Sequence, residues 1–198
     1  MALVGDVAYG IFAVAGDAEV AEERAAGIAH DFLERVGSRM PAVVAVGPAA
    51  SDVAGIAQSR SAVDRILRVL RQTQWGFAPN PRLAGARPRS ATRVARVADV
   101  QLESLVLELR DLSASRGEGP MEPIARLIAY DERHDAQLVL TLEAWLETFG
   151  DIGAASASQF VHANTFRYRL RRVQEISGLD LENPDARFAA MLQLRMLG

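Results

Sequence analysis

The stretch from Asp151 to Gly178, DIGAASASQFVHANTFRYRLRRVQEISG, constrains this chain most: small residues, a short turn, then a helix-compatible run with four arginines. At about 100° per residue, Phe166, Leu170, Val173 and Ile176 share one face of that second helix and can bury themselves against the first. Asn164, Tyr168 and Arg171 then point the opposite way, flanked by Thr165, Arg167 and Arg172. This is the pattern of a helix-turn-helix with its reading helix at about residues 163–176, offering guanidinium forks for phosphate or guanine edges and an amide for adenine. No acidic residue interrupts the stripe between His162 and Gln174. A basic helix face is often only solvated, but this cluster begins at a helix N-terminus directly after a turn, where a groove-reading helix makes its contacts.

In the partner helix, Ala154, Ala157 and either Phe160 or Val161 recur at helical spacing, and small side chains let two axes approach closely. His162 stands at the entrance of the reading helix, where an imidazole can cap it or meet a phosphate. His30 and His134 read as structural. Trp145 and Phe149 are spaced with Leu138, Leu142 and Leu146 and read as core rather than as a stacking platform. Tyr168 is the aromatic placed outward, towards a phosphate or a thymine methyl.

Composition bounds the remaining chemistry. A chain of 198 residues is long enough for two small cores. It contains 0 cysteines, which excludes disulfides and thiolate chemistry. No apolar run is long enough to span a membrane and no signal peptide opens the chain, so the expected location is the cytoplasm. The formal charge of −3 argues against indiscriminate polyanion binding, so a nucleic-acid contact must rest on a local patch. Gly47-Pro48 is a strand-end turn without the following elements of a phosphate loop. Asp131, Glu132 and Asp135 beside His134 lack zinc-helix spacing and read as a solvated helix end. No cofactor or metal site is expected.

Along the chain, Val7–Val14 and Ala42–Val46 read as buried strands around an amphipathic helix, Glu19–Val36, with Val20, Ile28, Phe32, Leu33 and Val36 among its apolar positions. A helix at about 55–72 turns Val63, Ile66, Leu67 and Leu70 inward, and a Pro-, Gly- and Arg-rich connection at 77–90 leads to a third strand at 92–97. The apolar helix Gln101–Leu112 precedes a break, SASRGEGP, taken as the domain boundary. Beyond it the pattern is helical throughout: Glu122 to about Arg133, Ala136–Phe149, the two helices of the reader, and a last helix capped by Asn183 with Pro184 in its first turn.

The segments TLEAWLETFGD and AASASQFVHANTFRYRLRRVQEISGLDLENPDARFAAMLQLRML resemble the C-terminal DNA-binding domain of the PucR and CdaR bacterial transcription regulators. The resemblance runs from about Glu122 to Leu197. It is carried by Val161, His162, Asn164, Thr165, Tyr168, Arg169 and Leu170, followed by Leu181, Pro184 and Arg187. Ala163 stands where that family often has arginine, which removes one phosphate contact, and Phe166 stands where leucine is usual. MPAVVAVGP, SRSAVDRILRVLRQ and VQLESLVLELRDL resemble the degenerate GGDEF-like domain that precedes the reader in many members. By that resemblance the chain begins inside the GGDEF-like domain, as a truncation or as a short member, and an upstream sensor domain would be the target of a small-molecule effector. The Gly-Gly-acidic hairpin of active diguanylate cyclases is absent, so no cyclase activity, and no enzyme activity, is expected.

The expected architecture is therefore an α+β regulatory or dimerisation domain over residues 1–115 and an all-α helix-turn-helix domain over 120–198. The expected function is a homodimeric regulator that binds double-stranded DNA at an inverted repeat, through His162, Asn164, Thr165, Arg167, Tyr168, Arg171 and Arg172. The surplus apolar surface for a dimer is expected in the N-terminal domain, including Gln101–Leu112. The competing reading is a protein-interaction or ligand-sensing module whose basic helix binds an acidic partner.

Overall fold

The computed structural model describes residues 2–14, 16–36, 42–74 and 93–197. They fall into two compact units, residues 2–74 with 93–104 and residues 105–197. The described residues are mostly helical, with two small sheets, both in the first unit. None of their helices is long and apolar enough to cross a membrane.

The first unit opens with an antiparallel hairpin, β1 (Ala2–Val4) and β2 (Val7–Tyr9), turned at Gly5, whose φ of 61° suits glycine. Polar contacts tie the hairpin to α2 (Val53–Gln74): Arg71 pairs with Asp6 at 2.8 Å, and the Tyr9 hydroxyl donates to Asp64 at 2.6 Å beneath the Arg60 guanidinium. The second sheet pairs β3 (Val44–Val46) in parallel with β4 (Val94–Arg96), Val44 opposite Val94. Against it α1 (Ala18–Val36) lays Ala25, Ala26, Ala29 and Leu33. A β-carbon at Gly47 would overlap Ser59 Oγ and lie 2.8 Å from Val63 Cγ2, so only glycine lets the chain leave β3 this close to α2.

Two expectations for this unit are corrected. The strand expected over Val7–Val14 stops at Tyr9, and Ile11 and Phe12 are exposed, because residues beyond Gly10 find no neighbouring strand. It pairs with β1 and not with β3, so the parallel pair is β3 and β4, with α2 in the crossover between them. In α1, Val20, Ile28 and Phe32 are exposed and the alanines face the sheet, since small side chains allow the closer approach. The inward face of α2 is as expected, with Ile66 and Leu70 buried and Val63 and Leu67 half-buried. The connection at 77–90 lies outside the described residues.

A 3-10 turn, Val97–Val100, leads into α3 (Gln101–Ser115), a helix that buries none of its side chains. Then follow α4 (Glu122–His134), α5 (Leu138–Glu147), α6 (Ile152–Ser158), α7 (Ala163–Ser177) and α8 (Pro184–Leu197). Their core joins Ile124 and Leu127 of α4 to Leu138, Leu142 and Leu146 of α5, Val173 of α7, and Ala190 and Leu194 of α8. Asp131 is not simply a solvated helix-end acid: its two carboxylate oxygens accept from the Leu138 and Val139 amides, each at 2.9 Å. One side chain of α4 thus satisfies two orphan donors at the start of α5 and fixes the corner between them. Asn183 caps α8 as expected, accepting from the Asp185 amide at 2.9 Å.

Where α5 meets α8, burial and the neighbouring Glu147 charge raise the Glu143 carboxyl from 4.5 to about 7, with Arg195 opposing. The folded state therefore resists ionising Glu143. Its cost is absent below pH 4.5, grows as pH rises from 4.5 to about 7, and is constant above that. Glu143→Gln is expected to stabilise the protein at pH 8 by about 2–3 kcal/mol and to flatten the fall between pH 5 and 7, as measured by urea unfolding across pH.

Candidate nucleic-acid interface

The reader is assembled from two helices locked by caps at each end. Asp151 caps α6, its carboxylate accepting from the Gly153 and Ala154 amides at 2.7 and 3.0 Å. At the other end Phe160 takes a left-handed φ of 54°, its amide donates to the Ala157 carbonyl, and the Val161 amide donates to the Ser156 carbonyl at 3.0 Å. These bonds reverse the chain within a few residues. His162 then caps α7, its Nδ1 accepting from the Asn164 amide at 3.2 Å, which places the proton of the neutral ring on Nε2. Gly178, at φ 73°, closes α7.

Packing sets the angle between the helices. Phe166 is fully buried against Ala144 of α5 and Ala155 of α6, with Trp145, Ile152 and Val161 around it. Val173 is fully buried in the main core, while Leu170 and Ile176 pack on its edge. The inward face of α7 is thus the expected one. The small-residue face of α6 is displaced by one position: Ala155 and Ser156 are buried and Ala154 and Ala157 exposed, because the Phe166 ring seats on Ala155. Val161 packs inward, and Phe160 is 98% exposed. Phe149 is not core, being 96% exposed at φ 52°, while Trp145 is half-buried. A left-handed residue at the helix end throws its side chain off the helix face, so Phe149 does not follow the periodicity that includes Trp145.

The sequence-expected site residues lie on or next to one face. Asn164, Thr165, Arg167, Tyr168 and Arg171 are exposed, His162 is exposed at the cap, and Arg172 is half-buried. The arginines differ in how they are held. Arg167 donates to Asn164 Oδ1 at 3.0 Å. Arg169, half-buried, reaches Gln137 Oε1 at 3.0 Å. Arg172 donates to Glu175 at 2.6 Å and to the Tyr130 hydroxyl at 3.2 Å, and these two bonds, Tyr130 first, push its guanidinium further towards the protonated form. The Arg171 side chain has no hydrogen bond or ion pair among the described residues. The partners Gln137, Tyr130 and Glu175 were not read from the sequence. Glu175 lies three residues after Arg172 and could have been found by helical spacing, whereas Gln137 and Tyr130 belong to other elements and left no local signal.

Residues 138–196 match the PucR C-terminal helix-turn-helix domain. This part of the chain is a PucR-type helix-turn-helix domain. The chain also matches parts of characterised proteins. Over 73 residues the chain is 33% identical to the DNA-binding transcriptional activator AdeR of Bacillus subtilis, covering 37% of the chain and 17% of AdeR. It is 39% identical over 74 residues to the carbohydrate diacid regulator of Escherichia coli, covering 37% and 19%. The purine catabolism regulatory protein of Bacillus subtilis is 35% identical over 69 residues, covering 35% and 13%. The chain thus spans less than a fifth of the length of these relatives in each match. No solved structure matches the chain. The geometry explains the Leu181, Pro184 and Arg187 element of the domain: Leu181 is buried, Pro184 opens α8, and Arg187 donates back to the Leu181 carbonyl at 3.3 Å.

Phe160 occupies a backbone region that favours glycine while its ring contacts little, so its strain is not offset by packing. Phe160→Gly is expected to leave thermal stability unchanged or to raise it by up to about 1 kcal/mol, after the entropy glycine adds to the unfolded chain. A loss larger than that in calorimetry would mean the ring is packed.

Proposed function

We propose that the chain is a sequence-specific regulator of transcription that binds double-stranded DNA by placing α7 in the major groove. The observation that carries this is the exposed stripe of Asn164, Thr165, Arg167, Tyr168 and Arg171 on a capped helix whose opposite face is locked into the core. The three relatives are named as a transcriptional activator and two regulators, which supports the same reading. In this proposal residues 120–198 read DNA, and residues 1–115, as a GGDEF-like domain without catalytic function, regulate or dimerise. The protein acts in the cytoplasm, and a small-molecule effector modulates it.

The site residues divide by position. Arg171 and Asn164 face outward and suit base edges, while Arg167 and Arg172 flank them and suit phosphates. His162 both caps the helix and turns its Nε2 proton outward, towards a phosphate. Thr165 and Tyr168 line the groove beside them. Because Arg167 already holds the Asn164 oxygen, these two act as one unit.

Binding to random-sequence DNA followed by selection is the decisive experiment, and enrichment of one motif is the expected result. Without enrichment, and with binding instead to an acidic protein, the competing interaction-module reading would hold. On the selected motif, Arg171→Ala or Asn164→Ala should relax one or two base positions at about 1–3 kcal/mol each. Arg167→Ala or Arg172→Ala should weaken all sequences alike and flatten the salt slope by about one unit. Unchanged binding in all four variants would remove α7 from the interface.

One reading helix engages too few bases to select a genomic site, so the proposed unit on DNA is a homodimer. The selected motif is then expected to be an inverted repeat with half-sites about 34 Å apart or a multiple of that. A single asymmetric half-site that binds as tightly as the full motif would contradict the dimer.

A further inference from the structure

The helix α3 carries the least explained surface among the described residues. It runs for 15 residues and buries none of them. A helix of this length is marginal in water by itself and is normally held by an apolar face packed on something. Leu102, Leu105, Leu109 and Leu112 are instead 54%, 52%, 41% and 46% exposed. The half-buried positions are others, among them Glu103, Val106, Leu107 and Arg110, so the leucines form a separate stripe.

The spacing of that stripe is three, four and three residues, the a and d positions of two heptads. An average of 3.5 residues keeps a seam straight along another helix, which is what the stripe fits, rather than a sheet or a flat apolar surface. The exposed apolar residues of the other helices do not repeat it. Those of α1 are Val20, Ile28 and Phe32, eight and four apart, and those of α2 are Val53 and Ile56 in its first turn. The helix with the matching repeat is α3 itself, and an isologous two-fold contact brings two copies together.

We propose that α3 is the dimerisation helix of this protein, pairing through Leu102, Leu105, Leu109 and Leu112 with α3 of a second copy. This deepens the proposed function by naming the surface that joins two readers. Four half-exposed leucines make a patch well below the roughly 800 Å² that each partner buries in a standard interface. The dimer is therefore reversible without DNA, with a Kd in the roughly micromolar to 100 µM range. Two half-sites on one DNA hold it together by raising the effective concentration of one copy for the other.

The test is made on the full chain without DNA, by sedimentation over a concentration series that spans this range. A monomer–dimer equilibrium is expected for the natural sequence, and a monomer at every concentration for Leu105→Glu/Leu109→Glu. Circular dichroism should show the helix content of that variant retained, since neither leucine is buried. Because the chain has 0 cysteines, a single introduced thiol reports position. Leu105→Cys should form covalent dimers with a short bismaleimide, and Ala114→Cys, exposed but off the stripe, should not. A natural chain that stays monomeric, a glutamate variant that stays dimeric, or equal crosslinking at both positions would each overturn the proposal. Half-site DNA binding by the glutamate variant separates this from the reading of α7: it is expected to equal that of the natural chain, and its loss in both proteins would indict the reader while leaving the seam intact.

Discussion

The burial of Phe166 is the contact on which the reading surface depends. Its ring fills the space where α5, α6 and α7 converge, against Ala144 and Ala155, neither of which has a side chain long enough to hold the helices apart. Removing a buried phenylalanine typically costs about 3–5 kcal/mol. Here it would also release the roll of α7 about its own axis. That roll decides which residues face outward, so the polar stripe inherits its direction from an apolar ring on the other side of the helix.

Capping does for the corners what Phe166 does for the faces. The four non-glycine residues with positive φ among the described residues, Asp135, Gln137, Phe149 and Phe160, all sit at the ends of α4, α5 and α6. Each corner is short, and each is closed by backbone or carboxylate hydrogen bonds, with Asp131 holding two amides of the next helix. A helical unit built this way tolerates little sliding between neighbours. That suits the groove-reading role proposed for α7, which needs a fixed surface.

Much of this helical unit was legible in the sequence, because periodicity and caps are local signals. The inward faces of α5 and α7, and the Asn183 cap with Pro184 after it, needed no long-range information. The misreadings came where geometry departs from ideal periodicity. Phe149 follows a helix in sequence but adopts left-handed backbone, so helical projection assigns it to the wrong side. In the first unit the errors were of pairing: Val7 to Val14 looks like a buried strand, and nothing within it says that its partner is the short β1 and that Ile11 and Phe12 are left outside. The hydrogen bonds of Arg169 and Arg172 to other elements were invisible for the same reason, since Gln137 and Tyr130 are distant in the chain.

The prior commitments of the arginines on α7 bear on how any anion is captured. Arg167, Arg169 and Arg172 already hold hydrogen bonds within the protein, to Asn164, to Gln137, and to Glu175 with Tyr130. An incoming phosphate or base edge would not meet freely rotating side chains; it would displace a partner that has already ordered them. The rotamer entropy usually lost on binding is largely spent at folding, and the heat released by a new bond is reduced by the bond given up. Selectivity then comes from competition: an anion too weak or too poorly placed to outbid an internal carbonyl or carboxylate leaves the helix as it was.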